Sequence, residues 1–478
     1  MGELKEKTIK GVIWSAVERF SVQGIDFVVG IIIARLLLPS DYGLIGMLAI
    51  FMSISQVFID GGFSSALIQY KDRSEADYST VFFINFAISI LVYGILYILA
   101  PYIADFYHQP VLTSITRVYT LILVINSLVA VNRTRLTIQL NFKMLSRVSF
   151  MVSCVAGGLG IFLAYSGYGV WSLVYMAISS SILNVLLLLY FTRWVPLPFF
   201  SIESFHRLFK YGSKLLVASL IGNVYSNLYN LVIGKKFSTI NLGYYTRADG
   251  LAGFAGLNIS NILQRVAFPV LSELQDNDEV LLAAYRKYIK LSAFIIFPLI
   301  FGLFGVAKPL LLCILTEKWS GSILLLQILC FAYLWDAVIR INLNLLYVKG
   351  RSDLVLRLEI IKKMVAVTIL FASIPFGLVG ICLGRVLYSF IAFYMNTYYT
   401  NKLLGYGFFT QIKELIPSLF ISFLVALEGL ILSHVIERSF VAILLAFIVC
   451  PLTYIACSKI LKMEQYQEIK SILRMRIN

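Results

Sequence analysis

Apolar segments of membrane-spanning length recur from one end of the chain to the other, and this recurrence limits the possible folds more than any other feature. A run of about 20 apolar residues crosses a hydrocarbon core ~30 Å thick as a helix. Charged residues make up only 14% of the chain, against about 25% in soluble domains. No polar stretch exceeds roughly two dozen residues, which leaves no room for a soluble catalytic domain. The sequence therefore predicts an all-α integral membrane protein.

Fourteen apolar runs are candidate transmembrane helices. The eighth is the least apolar, because two asparagines, a glutamine and an arginine interrupt it. An even number of spans returns the C-terminus to the side of the N-terminus. The candidate ranges are 11–37, 42–62, 79–100, 115–136, 145–166, 168–191, 213–237, 249–273, 287–306, 321–347, 357–375, 377–399, 413–434 and 440–461.

The distribution of basic residues indicates the orientation. With the N-terminus in the cytoplasm, the inside segments hold 28 Lys and Arg residues and the outside loops hold 7. Membrane proteins retain Lys and Arg on the cytoplasmic side, so both termini are predicted to be cytoplasmic. The net charge of +15 does not indicate nucleic-acid binding, because the basic residues occupy short loops between apolar segments and form no single stripe.

This orientation predicts which loops are reachable from outside the cell. In a chain whose six native cysteines are replaced, a cysteine introduced by Ser40→Cys should react with a membrane-impermeant maleimide on intact cells. A cysteine introduced by Ser352→Cys should react only after the membrane is opened. The reverse labelling pattern would overturn the orientation.

Two short matches between the halves indicate an internal repeat. Asp41–Gly43 after helix one matches Asn241–Gly243 after helix seven, and Gly169–Trp171 matches Gly380–Cys382, at offsets of 200 and 211 residues. Because six is an even number of spans, two copies of a six-helix unit have the same orientation in the membrane. The axis that relates them therefore runs along the membrane normal. The prediction is therefore two pseudo-twofold-related six-helix lobes plus two C-terminal helices. The predicted units are an N-lobe at 1–200, a C-lobe at 201–400, and two additional helices with an amphipathic cytoplasmic tail at 401–478.

Two amphipathic segments are predicted at the cytoplasmic surface. Ile202–Lys210 follows a proline-rich stretch and predicts a short interfacial helix between the lobes, which would rock about the linker 192–212. The C-terminal tail places Ile469, Ile472 and Leu473 against basic residues. It is either a second interfacial helix on the anionic inner leaflet or a frayed basic tail.

Charged residues inside the apolar segments predict a polar interior. The first segment carries Glu18, Arg19 and Asp26, and a charge near the bilayer centre costs at least ~2.5 to 3.5 kcal/mol. Arg19 and Asp26 are seven residues apart, so they share one face of a helix that needs a polar cavity. The other charges at depth are Asp60, Arg117, Arg265, Asp336, Arg340, Arg385 and Glu428.

The excess of arginine at depth favours an anionic ligand such as a phosphate or diphosphate, which a guanidinium binds in bidentate geometry. The alternative to a cavity role is, for each residue, a structural ion pair or a long side chain that reaches the membrane–water interface. Asp336 and Arg340 are four residues apart, which is close enough for them to pair with each other. The candidates for a diphosphate cavity are Arg19, Arg265, Arg385 and Arg340. The candidates for coupling or gating are Asp26, Asp60 and Asp336.

Amide side chains in the seventh and eighth helices predict a path for sugar hydroxyls. Their density in membrane segments is high enough to line a water-filled passage, and interhelical hydrogen bonding is the alternative. The candidates are Asn223, Asn227, Asn258, Asn261 and Gln264.

Signatures of enzymes and metal sites are absent from the sequence. It contains no GxxxxGK[ST], HExxH or GxSxG motif, no CxxC pair and only three histidines. We therefore expect no catalytic residue, no metal ligand and no cofactor.

The sequence also resembles a known protein family. The stretch ARLLLPSDYGLIGMLAIFMSISQVFIDGGFSSALIQ and the basic N-terminal leader resemble the Wzx-type polysaccharide flippases of the multidrug/oligosaccharidyl-lipid/polysaccharide (MOP, MATE-like) exporter superfamily, most of all the colanic acid exporter branch. The likeness covers the whole chain. The residues that carry the motif are Pro39, Asp41, Tyr42, Gly43, Leu44, Phe58, Asp60, Gly62, Phe63, Ala66, Leu67, Ile68 and Gln69.

This resemblance implies movement of an undecaprenyl-diphosphate-linked oligosaccharide across the bacterial inner membrane by alternating access. Arg19 and Arg265 lie in helices where related members present arginines to the lipid diphosphate. The implied partners are the lipid-linked oligosaccharide, membrane lipid and other glycan-assembly membrane proteins. Two alternatives remain open: a MATE-like drug/cation antiporter, which would favour acidic cavity residues, and a membrane-embedded glycan polymerase or ligase, which usually carries a large polar outer loop.

Overall fold

The computed structural model describes residues 24–477, with side chains to residue 471, and every regular element in this range is helical. The predicted all-α class is confirmed, while Glu18 and Arg19 lie outside the described residues. The helices are α1 (24–36), α2 (Pro39–Asp60), α3 (Phe63–Gln69), α4 (Glu75–Tyr107), α5 (Val111–Tyr119), α6 (Leu121–Ser127), α7 (Ala130–Ile138), α8 (Phe142–Tyr165), α9 (Val170–Thr192), α10 (Ile202–Lys236), α11 (Thr239–Glu273), α12 (Asp278–Gly305), α13 (Ala307–Leu315), α14 (Gly321–Leu334), α15 (Asp336–Val348), α16 (Ser352–Ser373), α17 (Gly377–Leu404), α18 (Phe408–Val435), α19 (Ser439–Ile460) and α20 (Glu464–Ile477).

Ten helical stretches of the described chain are long and apolar enough to span a membrane, and the bent pair Val111–Ser127 and Ala130–Ile138 makes up to eleven. One of the ten, Ser352–Leu404, has 53 residues, which would be ~80 Å as a single helix. Gly384 lies against Ile369 and Ser373, so the chain folds back between α16 and α17. About half of the first predicted span lies outside the described residues, and α11 is not among the ten. The count of fourteen stays a prediction.

The contacts divide the chain into two compact units, which we call unit 1 (Met1–Gly243) and unit 2 (Tyr244–Asn478). The boundary lies within the first turns of α11, and α10 belongs to unit 1. The predicted limit between the lobes is at residue 200, and the lobes themselves stay a prediction.

The segment Ile202–Lys210 is not a separate interfacial helix, so that prediction is wrong. It forms the first turns of α10, which continues without a break to Lys236. Gly212 would ordinarily weaken a helix here, but a Cβ on it would lie 2.7 Å from the carbonyl oxygen of Gly61. The glycine is therefore required for the close approach of α10 to the turn between α2 and α3, and Leu208 is buried against Phe63 one turn earlier.

Because of this close approach, an added methyl group should lower the stability of the protein at Gly212 but not at Gly222, although both glycines lie in α10. Gly212→Ala should lower the thermal stability of the purified protein, because overpacking a tight contact costs ~1 to 3 kcal/mol. Gly222→Ala is the matched control, since a Cβ there meets nothing within 4 Å. It should leave stability unchanged or raise it. Equal melting temperatures for the two variants would show that the Gly212 contact carries no strain.

The linker before α10 is held against the start of α4. The Leu197 amide donates a hydrogen bond to Ser79 Oγ at 2.9 Å, and the Ser201 amide donates to Thr80 Oγ1 at 3.0 Å. The Trp194 indole N–H donates to Glu75 at 2.7 Å. These bonds tie the linker to unit 1, and rocking about 192–212 stays a prediction.

The two segments of the first repeat match occupy equivalent local positions. α2 begins at Pro39 and α11 begins at Thr239, so Gly43 and Gly243 are each the fifth residue of a helix. A Cβ on Gly43 would lie 1.9 Å from the Thr239 carbonyl oxygen, and a Cβ on Gly243 would lie 1.9 Å from the Pro39 carbonyl oxygen. The contact is reciprocal, as a local twofold axis requires. We call this contact the glycine crossing.

The second repeat match is shifted by three residues. Gly169 precedes α9 with φ of 54°, a left-handed conformation that favours glycine. Its counterpart by conformation is Gly377, with φ of 76° at the start of α17, whereas Gly380 lies inside that helix.

The C-terminal tail is helical, which favours the first of its two predicted states. Lys290 of α12 contacts Glu464 at 2.7 Å, and Lys287 contacts Glu468 at 2.9 Å. The hydrogen bond from Lys290 lowers the pKa of the Glu464 carboxyl. Ile469 packs against the buried cluster that contains Phe294 and Tyr454. The tail is therefore docked on unit 2, and the side chains of Ile472 and Leu473 are not among those described.

Candidate functional site

Polar side chains of unit 2 collect where α11 packs against α14 and α15. Gly253 and Gly256 allow the close contact, because a Cβ on them would lie 3.2 Å from the Tyr333 hydroxyl and 2.9 Å from its Cβ. The Tyr333 ring is therefore fixed against α11. The polar residues of α11 on either side of these glycines form two separate groups.

The first group, which we call the Arg385 cluster, consists of Tyr245, Asp249, Tyr333 and Arg385. Arg385 Nη1 donates hydrogen bonds to Asp249 Oδ1 at 2.5 Å and to the Tyr245 hydroxyl at 2.7 Å. Arg385 Nη2 donates to the Tyr333 hydroxyl at 2.6 Å, and that hydroxyl donates to Asp249 Oδ1 at 2.8 Å. The ion pair neutralises one of the arginines predicted to hold the substrate anion.

The second group, which we call the Arg340 cluster, consists of Asn261, Asp336 and Arg340. Arg340 Nε donates to Asp336 Oδ2 at 2.6 Å, one turn away on α15, and Nη1 donates to Asn261 Oδ1 at 3.2 Å. The pairing of Asp336 with Arg340, which the sequence left as an alternative to a cavity role, is present. A second arginine is thereby neutralised.

Arg265 differs from both of these arginines. It is exposed, and within the described side chains no hydrogen bond or ion pair engages its guanidinium. Its neighbour Gln264 donates to Asn344 Oδ1 at 3.1 Å, which anchors this part of α11 to α15. Arg265 is therefore a cation on a polar helix face without a described counter-ion.

The remaining predicted site residues are distributed over both units. In unit 1, Asp26 is exposed, Asp60 accepts a hydrogen bond from Ser64 Oγ at 2.5 Å, and Asn227 donates to Ser53 Oγ at 2.9 Å. The amides of Asn223 and Asn258 donate to carbonyl groups of their own helices.

Two further charged residues of the described chain, Arg117 and Glu428, do not join either cluster. Arg117 lies over the Tyr97 ring, 4.5 Å from its centroid. One carboxylate oxygen of Glu428 is buried without a hydrogen-bond partner among the described residues. Arg19 lies outside the described residues, so its role in a diphosphate cavity stays a prediction.

Sequence reasoning missed Asp249, Tyr245, Tyr333 and Asn344. The predicted eighth span begins at residue 249, whereas α11 begins ten residues earlier, so Tyr245 lies in the helix and not in the loop that the sequence predicts. A signal was available, since Asp249 is the only acidic residue between Lys236 and Glu273 and stands four residues after Tyr245, on the same helix face.

Comparisons with known proteins give one family and a fold. A family model described as "Polysaccharide biosynthesis protein" matches residues 32–324. The lipopolysaccharide biosynthesis protein WzxC of Escherichia coli K12 is 26% identical over 439 residues, which cover 90% of this chain and 88% of that protein. The solved structure of the lipid II flippase MurJ in an inward closed conformation has a TM-score of 0.75 at 13% identity and covers 96% of this chain and 99% of that chain. An inward-facing MATE multidrug transporter of the MOP superfamily has a TM-score of 0.61 at 16% identity and covers 80% of this chain and 94% of that chain.

Proposed function

Because the chain belongs to the polysaccharide biosynthesis protein family, whose model matches more than half of it, we propose that it is a lipid-linked oligosaccharide flippase. It moves an undecaprenyl-diphosphate-linked oligosaccharide from the inner to the outer leaflet of a bacterial inner membrane, for lipopolysaccharide, capsule or exopolysaccharide biosynthesis. Both termini are cytoplasmic, and alternating access carries the substrate. The resemblance to Wzx-type proteins is confirmed by the similarity to WzxC, and the similarity in fold to MurJ and to a MATE transporter of the MOP superfamily supports the proposal.

The observation that carries the proposal is the uncompensated charge of Arg265. Arg340 and Arg385 are each paired with an aspartate, so neither adds net charge to the face of α11. At an effective dielectric constant of ~20, two unit charges ~4 Å apart interact by ~4 kcal/mol. Such an interaction holds a diphosphate and still allows release when water enters.

The amides near Arg265 suit the glycan that follows the diphosphate. Asn258, Asn261 and Gln264 lie on the same helix as Arg265 and are partly exposed. Each makes one described side-chain hydrogen bond within unit 2, which uses only part of the hydrogen-bonding capacity of its amide. Amide groups offer both donors and acceptors to sugar hydroxyls. Asn223 and Asn227 of α10 complete the proposed glycan path, while Asp26, Asp60 and Asp336 remain the proposed coupling or gating residues.

The Arg340 and Arg385 clusters do not suit the cation site of a drug/cation antiporter. A site for cations requires carboxylates that are available to the ligand, whereas Asp249 and Asp336 are engaged by arginines. The names of the solved relatives, a flippase and a transporter, give no support to a glycan polymerase or ligase.

Reconstitution tests the proposed function directly. The purified chain in liposomes should move a fluorescent undecaprenyl-diphosphate-linked oligosaccharide between leaflets, measured as accessibility of the label to a membrane-impermeant quencher under imposed proton or sodium gradients. In cells, deletion should reduce exopolysaccharide or capsule without increasing sensitivity to cationic drugs. Drug sensitivity with unchanged glycan output would contradict the proposal and favour the antiporter.

A further inference from the structure

The Arg385 cluster is built differently from the Arg340 cluster. Arg340 and Asp336 belong to one helix and move together, whereas Arg385 of α17 and Asp249 of α11 lie on different helices. Breaking the Asp249–Arg385 pair therefore removes a link between two helices. The pair is also accessible, since 20% of the Arg385 side chain and 30% of the Asp249 side chain are exposed.

The ion pair of Arg385 with Asp249 is weaker than the contact that a diphosphate offers. Its ion pair joins one guanidinium nitrogen to one carboxylate oxygen, at 2.5 Å. A guanidinium binds an anion most strongly through two parallel N–H donors, and a diphosphate carries more negative charge than one carboxylate. A diphosphate that reaches Arg385 thus offers a better contact than Asp249.

The tyrosines keep the guanidinium in place while its anion changes. Tyr245 is 1% exposed and Tyr333 is 8% exposed, and both hydroxyls accept hydrogen bonds from Arg385. The Tyr333 ring lies under the guanidinium, 4.9 Å from its carbon atom to the ring centroid. Both tyrosines lie in the interior, so the exchangeable member of the cluster is Asp249.

The Arg385 cluster and Arg265 are connected by α11, because Asp249 of the cluster and Arg265 both belong to this helix. Asp249 and Arg265 are sixteen residues apart, which corresponds to ~24 Å along a helix, close to the ~30 Å thickness of a hydrocarbon core. Resting on the flippase function proposed above, we propose that Arg385 is a second diphosphate station, kept closed by Asp249 until the substrate diphosphate displaces that carboxylate. Asp249 is then a positioning residue that prevents the second station from trapping the anion.

Binding measurements on the full-length protein in nanodiscs test the second station, with undecaprenyl diphosphate as the probe and undecaprenol as the uncharged control. Arg265→Ala should weaken binding. Adding Asp249→Asn to Arg265→Ala should restore affinity at least about tenfold, because a site blocked by an internal competitor gains affinity when the competitor is removed. Adding Arg385→Gln as a third change should remove that gain.

The neutral pair Asp249→Asn with Arg385→Gln separates exchange of the anion from a purely structural link between α11 and α17. Two amides still hydrogen-bond to each other, so a structural link is largely kept in thermal stability and flipping, whereas a diphosphate station is lost because position 385 no longer carries a positive charge. Asp353→Asn is the matched control, since Asp353 pairs with Arg351 outside the cluster, and it should leave affinity unchanged.

Two results distinguish failure of this inference from failure of the proposed function. Binding of undecaprenyl diphosphate by the wild type, without any gain from Asp249→Asn in the Arg265→Ala background, overturns the second station alone. No binding of undecaprenyl diphosphate by the wild type overturns both. Flipping by the Asp249→Asn and Arg385→Gln double variant at the wild-type rate also overturns the second station.

Discussion

Arg265→Ala should abolish glycan export while the protein remains in the membrane at normal abundance. Arg265 is eight residues from the nearer end of α11, ~12 Å along the helix axis, which is too far for its charge to reach water by extending past that end. The nearby arginines are neutralised by aspartates and do not replace it. Loss of one charge contact worth ~4 kcal/mol corresponds to roughly a thousandfold loss in affinity for the diphosphate.

The lysine variant tests the geometry of this contact apart from its charge. Arg265→Lys should retain part of the export, because an ammonium keeps the positive charge and loses the planar fork that binds two phosphate oxygens. Arg438→Ala is the control, since Arg438 is also an exposed arginine, lies in the turn before α19 and should be dispensable. Export by Arg265→Ala at the wild-type rate would show that the diphosphate is held elsewhere.

The apolar elements were predictable because hydropathy is a local property. Each predicted range overlaps a described helix, although the fourth is broken into α5, α6 and α7 and about half of the first lies outside the described residues. The start of α10 was not predictable in the same way. Gly212 is a weak helix former on its own, and only its contact with the Gly61–Gly62 turn explains why the helix continues through it.

The sequence is enough to predict which charged residues need a polar environment, but it does not show which of them form ion pairs with each other. The free-energy cost of placing a charged side chain inside the bilayer is enough to identify Arg340 and Arg385 as residues that need a polar environment. Asp336 is one turn from Arg340, so that pair follows from spacing. Asp249 is 136 residues from Arg385, and their contact depends on how α11 packs against α14 and α17. The distinction between paired and available arginines therefore requires the tertiary structure.

Among the backbone contacts of the described chain, we expect the glycine crossing to be the one that a single added methyl group disturbs most. Gly43→Ala and Gly243→Ala should each reduce export strongly, because each new Cβ would lie 1.9 Å from a carbonyl oxygen and the two helix starts must separate. A cost of ~1 to 3 kcal/mol shifts the equilibrium between a closed and an open crossing by roughly 5- to 150-fold. Faster maleimide labelling of Ser40→Cys, one residue after Pro39, should report that shift.

Gly250→Ala is the matched control for this effect. It lies seven residues after Gly243 on the same helix, and a Cβ there meets nothing within 4 Å. A reagent that links Ser40→Cys to Ile240→Cys should block export in a folded protein, because it holds the two helix starts together. If the linked protein still exports, or if Gly43→Ala and Gly250→Ala behave alike, the crossing does not open during transport. The reciprocal packing of Pro39 and Thr239 would then serve only to hold α11 against α2.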